Sequence, residues 1–189
     1  GRSAMRHLVF LLEGPSEKEA LEAWVPTLLP PSVQSHFIVF EGKQDMERRM
    51  ALKLRHWMQP DSRFIVLRDQ DSADCTDVKA ALLARCTESG RAADCIVRIA
   101  CHELESFFLG DWQAVAQAFS LPRLADLDRK AIYRDPDRIA LPEAELRRHV
   151  PGYQKRGGAR RIAPLMDLER NRSRSFVKLR EAITRQAQP

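Results

Sequence analysis

Two kinds of apolar pattern take turns along this chain. Uninterrupted runs occur at Leu8-Val9-Phe10-Leu11-Leu12, Phe37-Ile38-Val39-Phe40 and Phe64-Ile65-Val66-Leu67, and a fourth, nearly continuous one spans Cys95 to Ala100. Short runs rich in β-branched residues read as strands covered on both faces. Between them the spacing widens to that of a helix, with Ala20, Leu21, Trp24, Val25 and Leu28, then Met46, Met50, Leu54 and Trp57, then Val78, Leu82, Leu83 and Cys86. The pattern predicts strands over 7–12, 35–40, 64–67 and 95–100. It predicts helices over 16–29, from the turn at Gly42 to about 58, and over 76–87. Pro30-Pro31 and Pro60-Asp61-Ser62 punctuate the first two helices. Strands alternating with helices of this length specify an α/β fold with a mainly parallel four-stranded sheet flanked by helices.

The alternation stops after Ala100. His102 to Gly110 reads as a short helix ended by glycine, and a second helix follows from Asp111 to about Phe119. Residues 122–142 are rich in Pro and Asp and read as an irregular excursion with short helices. Tyr153 to Arg161 reads as a basic loop containing Gly157-Gly158. A last helix from Ser173 carries Phe176, Leu179 and Ile183 on its apolar stripe, with Asn171 or Ser173 suited to cap it. The expected organisation is an α/β core over 5–110 and a helical, basic extension over 111–189 packed on it. Gly1-Arg2-Ser3-Ala4 before Met5 reads as an expression remnant.

Candidate chemistry lies where strands end. The first run closes on Glu13-Gly14-Pro15-Ser16-Glu17, and the third on Arg68-Asp69-Gln70-Asp71, with Asp74 shortly after. On a strand, residues i and i+2 share a face about 6.6 Å apart, so Asp69 and Asp71 can lean toward one hard cation. In open parallel sheets the ligand crevice lies at the carboxyl ends of strands, which would set Glu13 beside them. Glu13, Asp69 and Asp71, with Asp74 as a helper, form a ligand set suited to Mg2+ or Mn2+. The plainer alternative makes Asp69-Gln70-Asp71 a solvated turn and Asp74 a helix N-cap. Glu103 and Glu105 are further acids, Glu105 being preferred because Glu103 stacks with Phe107 at i+4. Glu17 reads more simply as a first-turn acid favoured by the helix dipole.

Composition narrows the classes. The chain of 189 residues is 44% hydrophobic and 30% charged, which fits one globular domain with or without a small appendage. No apolar run reaches the roughly 18–20 residues of a membrane helix. Cys75, Cys86, Cys95 and Cys101 show neither C-x-x-C pairing nor zinc spacing, so reduced thiols in a cytoplasmic setting are expected. The net charge of +5 is concentrated in the last third, a distribution suited to a phosphodiester substrate. There Lys155, Arg160 and Arg161 are candidate phosphate contacts, though a solvated helical surface would carry the same charges. No P-loop string is present, and Ser106 breaks H-E-x-x-H after His102, which leaves that histidine a secondary general-base candidate.

A strand ending in Glu-Gly followed by one ending in Asp-x-Asp resembles the TOPRIM pattern, and LLEGPSE resembles its OLD-like form. LRDQDSADC, RIACHELESFFLGD and RRIAPLMDLERNRSRSF resemble the TOPRIM-like bacterial domain-of-unknown-function family 4276, related to OLD-type nucleases, over about Leu8 to Ala182. The resemblance implies a Rossmann-like TOPRIM core and a nuclease cleaving DNA or RNA with Mg2+ or Mn2+. Glu13, Asp69, Asp71 and Glu105 would be catalytic. It also implies an ABC- or SMC-like ATPase supplied in trans within a bacterial defence cassette. A second copy of the chain is a further candidate partner, and no membrane is expected. The rival reading is a TOPRIM shell that binds an ATPase or nucleic acid without turnover. A third is an enzyme of small phosphorylated substrates.

Overall fold

The computed structural model describes residues 4–189, so the first three residues of the Gly1–Ala4 stretch lie outside the described residues. Its centre is a four-stranded parallel sheet formed by β1 (Arg6–Leu12), β2 (Val33–Val39), β3 (Ser62–Asp69) and β4 (Cys95–Ala100), in the order β2-β1-β3-β4. Helices α1 (Pro15–Leu28), α2 (Lys43–Arg55) and α3 (Cys75–Ser89) make the crossovers. The Rossmann-like α/β expectation holds.

Period-2 alternation explains how continuous apolar strands serve two cores. Leu8, Phe10, Leu12, Ile65, Leu67 and Ala100 point to one face, where α1 packs with Leu21 and Trp24. Val9, Leu11, Phe64, Val66, Val97 and Ile99 point to the other, covered by Met46, Met50 and Leu54 of α2 and Val78, Leu82 and Cys86 of α3. The first face does not end with the sheet. It runs on into α4 (Glu105–Leu109), α5 (Trp112–Ala118), α6 (Pro142–His149), α7 (Lys155–Ile162) and α8 (Arg174–Gln186). Phe176 meets Trp24 and Phe107 edge to face there, with Trp24 Nε1 donating to the Ala163 carbonyl at 3.2 Å.

Several expectations change. β3 is longer than its apolar run and includes Asp69, because pairing with β4 continues to Asp69↔Ala100. Residues 155–162 are not a loop but helix α7. Gly158 is there because a Cβ at that position would sit 2.2 Å from Cε2 of the buried Tyr153 ring. The irregular stretch over 122–142 winds as short 3-10 turns, and helix α6 begins at its end, in a segment to which the sequence assigned no element. The four cysteines are free thiols, and no described helix is long and apolar enough to cross a membrane.

Candidate functional site

The order β2-β1-β3-β4 sends successive crossovers in opposite directions from β1 and β3. That reversal opens a crevice at the carboxyl ends of those two strands. Glu13 is the first residue after β1 and Asp69 the last of β3. The Asp69 backbone N–H donates to Glu13 Oε2 at 3.0 Å, which fixes one carboxylate across the crevice. Glu17, one turn into α1, folds its carboxylate back over Gly14. Glu105 enters from the start of α4 and is 1% exposed.

These four acids act on one another electrostatically. Burial, then Glu17, Glu13 and Glu105, push the Asp69 carboxyl well above the usual carboxylate range. Burial and the neighbouring Glu13 and Glu105 push Glu17 up to about 7. Burial likewise raises Glu13, against the opposing Asp69 N–H, and raises Glu105 against Lys155. Asp69 Oδ1 and Glu105 Oε2 are buried with no hydrogen-bond partner. Two carboxylates about 4 Å apart repel by roughly 4 kcal/mol even at an effective dielectric of 20. Such a cluster needs protons or a cation, and the two unpartnered oxygens are where a hard cation would bind. Of these four acids, only Glu105 belongs, among the described residues, to a group of three whose ligand oxygens are close enough to share one ion.

One cation is already supplied by the chain. Lys155 Nζ lies 2.7 Å from Glu105, 3.2 Å from Glu143 and 3.4 Å from Glu103. Ligand oxygens of these three acids all fall within 4.8 Å of one another. Burial alone would lower the Lys155 pKa, but Glu105 and Glu103 outweigh it and hold the ammonium firmly charged.

The other candidates are placed differently. Asp71 adopts φ 54°, turns off the strand direction and meets Lys43 Nζ at 2.9 Å, while still adding negative field at Glu13. Asp74 caps α3, accepting from the Thr76 and Asp77 N–H groups at 2.9 and 3.1 Å. His102, at φ 64°, clasps the Asp71 loop. Its Nδ1 lies 3.0 Å from the Asp71 carbonyl, and its own carbonyl accepts the Asp71 N–H at 2.6 Å. Arg160 and Arg156 both bind Glu19, which holds that carboxyl at about 2. Arg161 stacks over Phe119 and donates to the Ala118 carbonyl. Glu17 and Glu143 were the residues least legible in sequence. Glu17 offered only its position on the helix after the first acidic strand, and Glu143 offered no signal before α6 was known.

Residues 12–184 match the family model described as "Domain of unknown function (DUF4276)". A search of curated proteins gives no match. Among solved structures, the C-terminal region of the Burkholderia pseudomallei OLD protein is similar with a TM-score of 0.50 at 15% identity, covering 93% of this chain and 98% of that one. At that identity the likeness concerns the fold, and it extends through the helical part that follows the sheet. With the family model spanning nearly all of its length, the chain belongs to the DUF4276 family, and its fold is of the OLD C-terminal kind.

Proposed function

We propose that this chain is a divalent-cation-dependent phosphodiesterase acting on DNA or RNA, the effector of a separately encoded ABC- or SMC-like ATPase. The observation that carries the reading is the buried acid cluster at the β1/β3 crevice, with its unpartnered Asp69 Oδ1 and Glu105 Oε2. Glu13, Glu17, Asp69 and Glu105 would hold Mg2+ or Mn2+, and Asp71, now paired with Lys43, would be a further ligand. When bound, the cation supplies charge neutralisation and an activated water for attack on phosphorus. Around it, the Asp69 N–H orients Glu13, and the buried walls keep the carboxylates from rotating into solvent. Lys155 keeps a positive charge beside Glu105, and in this reading it would also oppose the charge that develops on a transferring phosphoryl group. The ATPase partnership rests on the OLD-like resemblance of the sequence alone.

The test is cleavage of single- and double-stranded DNA and RNA with Mn2+, Mg2+ or EDTA, for the native chain and Asp69→Asn, each with and without the candidate ATPase. Metal-dependent cleavage lost in Asp69→Asn supports the reading. Metal-dependent cleavage that survives in Asp69→Asn would remove the crevice as the reaction centre.

A second reading, a TOPRIM shell that binds without turnover, is favoured by one observation. Lys155 and Lys43 already neutralise part of the acidic set from within the chain. Absence of cleavage under every condition above, together with stable binding of the ATPase or of nucleic acid, would establish that reading.

A further inference from the structure

β4 is the last strand of the sheet, hydrogen-bonded to β3 on one side. Along its other side, between α3 and α8, runs a cleft of about 350 Å³ whose floor is Val97, Arg98, Ile99 and Cys101. Lys79 of α3, Arg98 of β4, and Arg174 and Lys178 of α8 line it. Among the described residues, Lys79, Arg174 and Lys178 have no carboxylate within 4.0 Å, whereas Lys155, Arg156 and Arg160 all do. Arg98 is held in place by the carbonyls of Lys178 at 3.3 Å and Val97 at 3.0 Å.

Two acids, Asp137 and Glu181, share the lining with these four cations and leave the cleft with a positive excess. Asp137 is engaged by the start of α8, accepting from Ser173 Oγ at 2.6 Å, Ser175 N–H at 2.7 Å and Ser175 Oγ at 3.2 Å. Glu181 faces Arg98, which Arg185 also approaches. No aromatic side chain lines the cleft, so it offers nothing on which a base would stack. Cationic side chains without base-reading groups fit a sugar-phosphate backbone.

The cleft is also aimed. Its upper end is Cys75 and Cys101, and the residue after Cys101 is His102, which clasps the Asp71 loop. From Val97 to Cys101 the floor spans about 13 Å at roughly 3.3 Å per residue. We propose that this cleft binds the phosphates of a single nucleic-acid strand and leads it along the open sheet edge to the acidic crevice. The proposal takes its ligand class from the function proposed above.

The experiment is fluorescence anisotropy of a labelled single-stranded DNA of about 20 nucleotides in EDTA, titrated over a salt series. The proteins are the native chain, Arg174→Gln/Lys178→Gln, and Lys53→Gln as an exposed control on α2. Each single-strand phosphate contact contributes about 0.7 to the slope of log affinity against log salt. The double variant is expected to bind more weakly with a slope shallower by about 1.4, with an unchanged thermal melt, while Lys53→Gln matches the native chain. Equal affinity and slope in the double variant, or no binding by the native chain at low salt, overturns the proposal. Cleavage assayed in parallel, with Mn2+ or Mg2+ and with the candidate ATPase, separates the two readings. Weakened binding without any cleavage leaves the cleft standing and removes the nuclease, and retained binding with cleavage does the reverse.

Discussion

Glu13, Glu17, Asp69 and Glu105 hold more negative charge than Lys155 can neutralise, and the excess has consequences for single residues. A carboxyl group whose folded pKa is raised to about 7 from about 4.5 is protonated in the folded chain where the unfolded chain has already ionised. Its contribution to stability is therefore full below the unfolded value and disappears as pH rises through 7. Between about pH 5 and 8, without divalent ions, the melting temperature of the native chain should fall, and Glu17→Gln should remove roughly 5 °C or more of that fall. An identical pH profile for the two, followed by circular dichroism, would mean Glu17 is solvated. At Gly158 the determinant is space. A methyl group there meets Tyr153, whose ring is buried, so Gly158→Ala should destabilise by about 1–3 kcal/mol in a denaturant melt. The pair Gly157-Gly158 reads as part of a loop because sequence records that a side chain is absent, not what occupies its place.

At the scale of elements, caps and loops separate residues that a string of acids makes look alike. Asp74 accepts two N–H groups at the start of α3, so Asp74→Ala should cost about 1 kcal/mol, or about 2–4 °C, and leave Mn2+ affinity by calorimetry unchanged. A large loss of Mn2+ affinity in that variant would return Asp74 to the metal set. The start of α8 is built the same way. Ser173 accepts the Phe176 N–H at 3.2 Å, and Asn171 bonds the Phe107 carbonyl and the Ser173 N–H. In the run Asn171-Arg172-Ser173-Arg174-Ser175 the small polar residues are therefore structural, and Arg174 is turned out into the cleft beside β4. The strands were legible to within a few residues because burial on both faces leaves an uninterrupted apolar run. Helix α7 was not, because Lys155 to Ile162 combines two glycines with four cations, and only packing against α1 and Tyr153 makes it helical.

The whole molecule places its acids at a topological reversal, and that placement makes a bulk prediction. An ion bound at about 100 times its dissociation constant stabilises the fold by roughly 2.7 kcal/mol, which at this size is on the order of 5–10 °C. Mn2+ should raise the melting temperature of the native chain by that amount and leave Asp69→Asn/Glu105→Gln unmoved. A native chain that does not shift at millimolar Mn2+ would move the binding-module reading ahead. The alternating apolar runs alone determined the four parallel strands, their covering helices and the two acidic strand ends, because those depend on local periodicity and on what each residue must hide from water. Which acids share a site was decided by the tertiary structure. Glu13 and Asp69 are 56 positions apart and meet through one hydrogen bond, Glu105 arrives on a helix beyond the sheet, and Lys155 closes over them from a further 50 positions away. Charge interactions fall with distance in space, and distance along the chain does not record it.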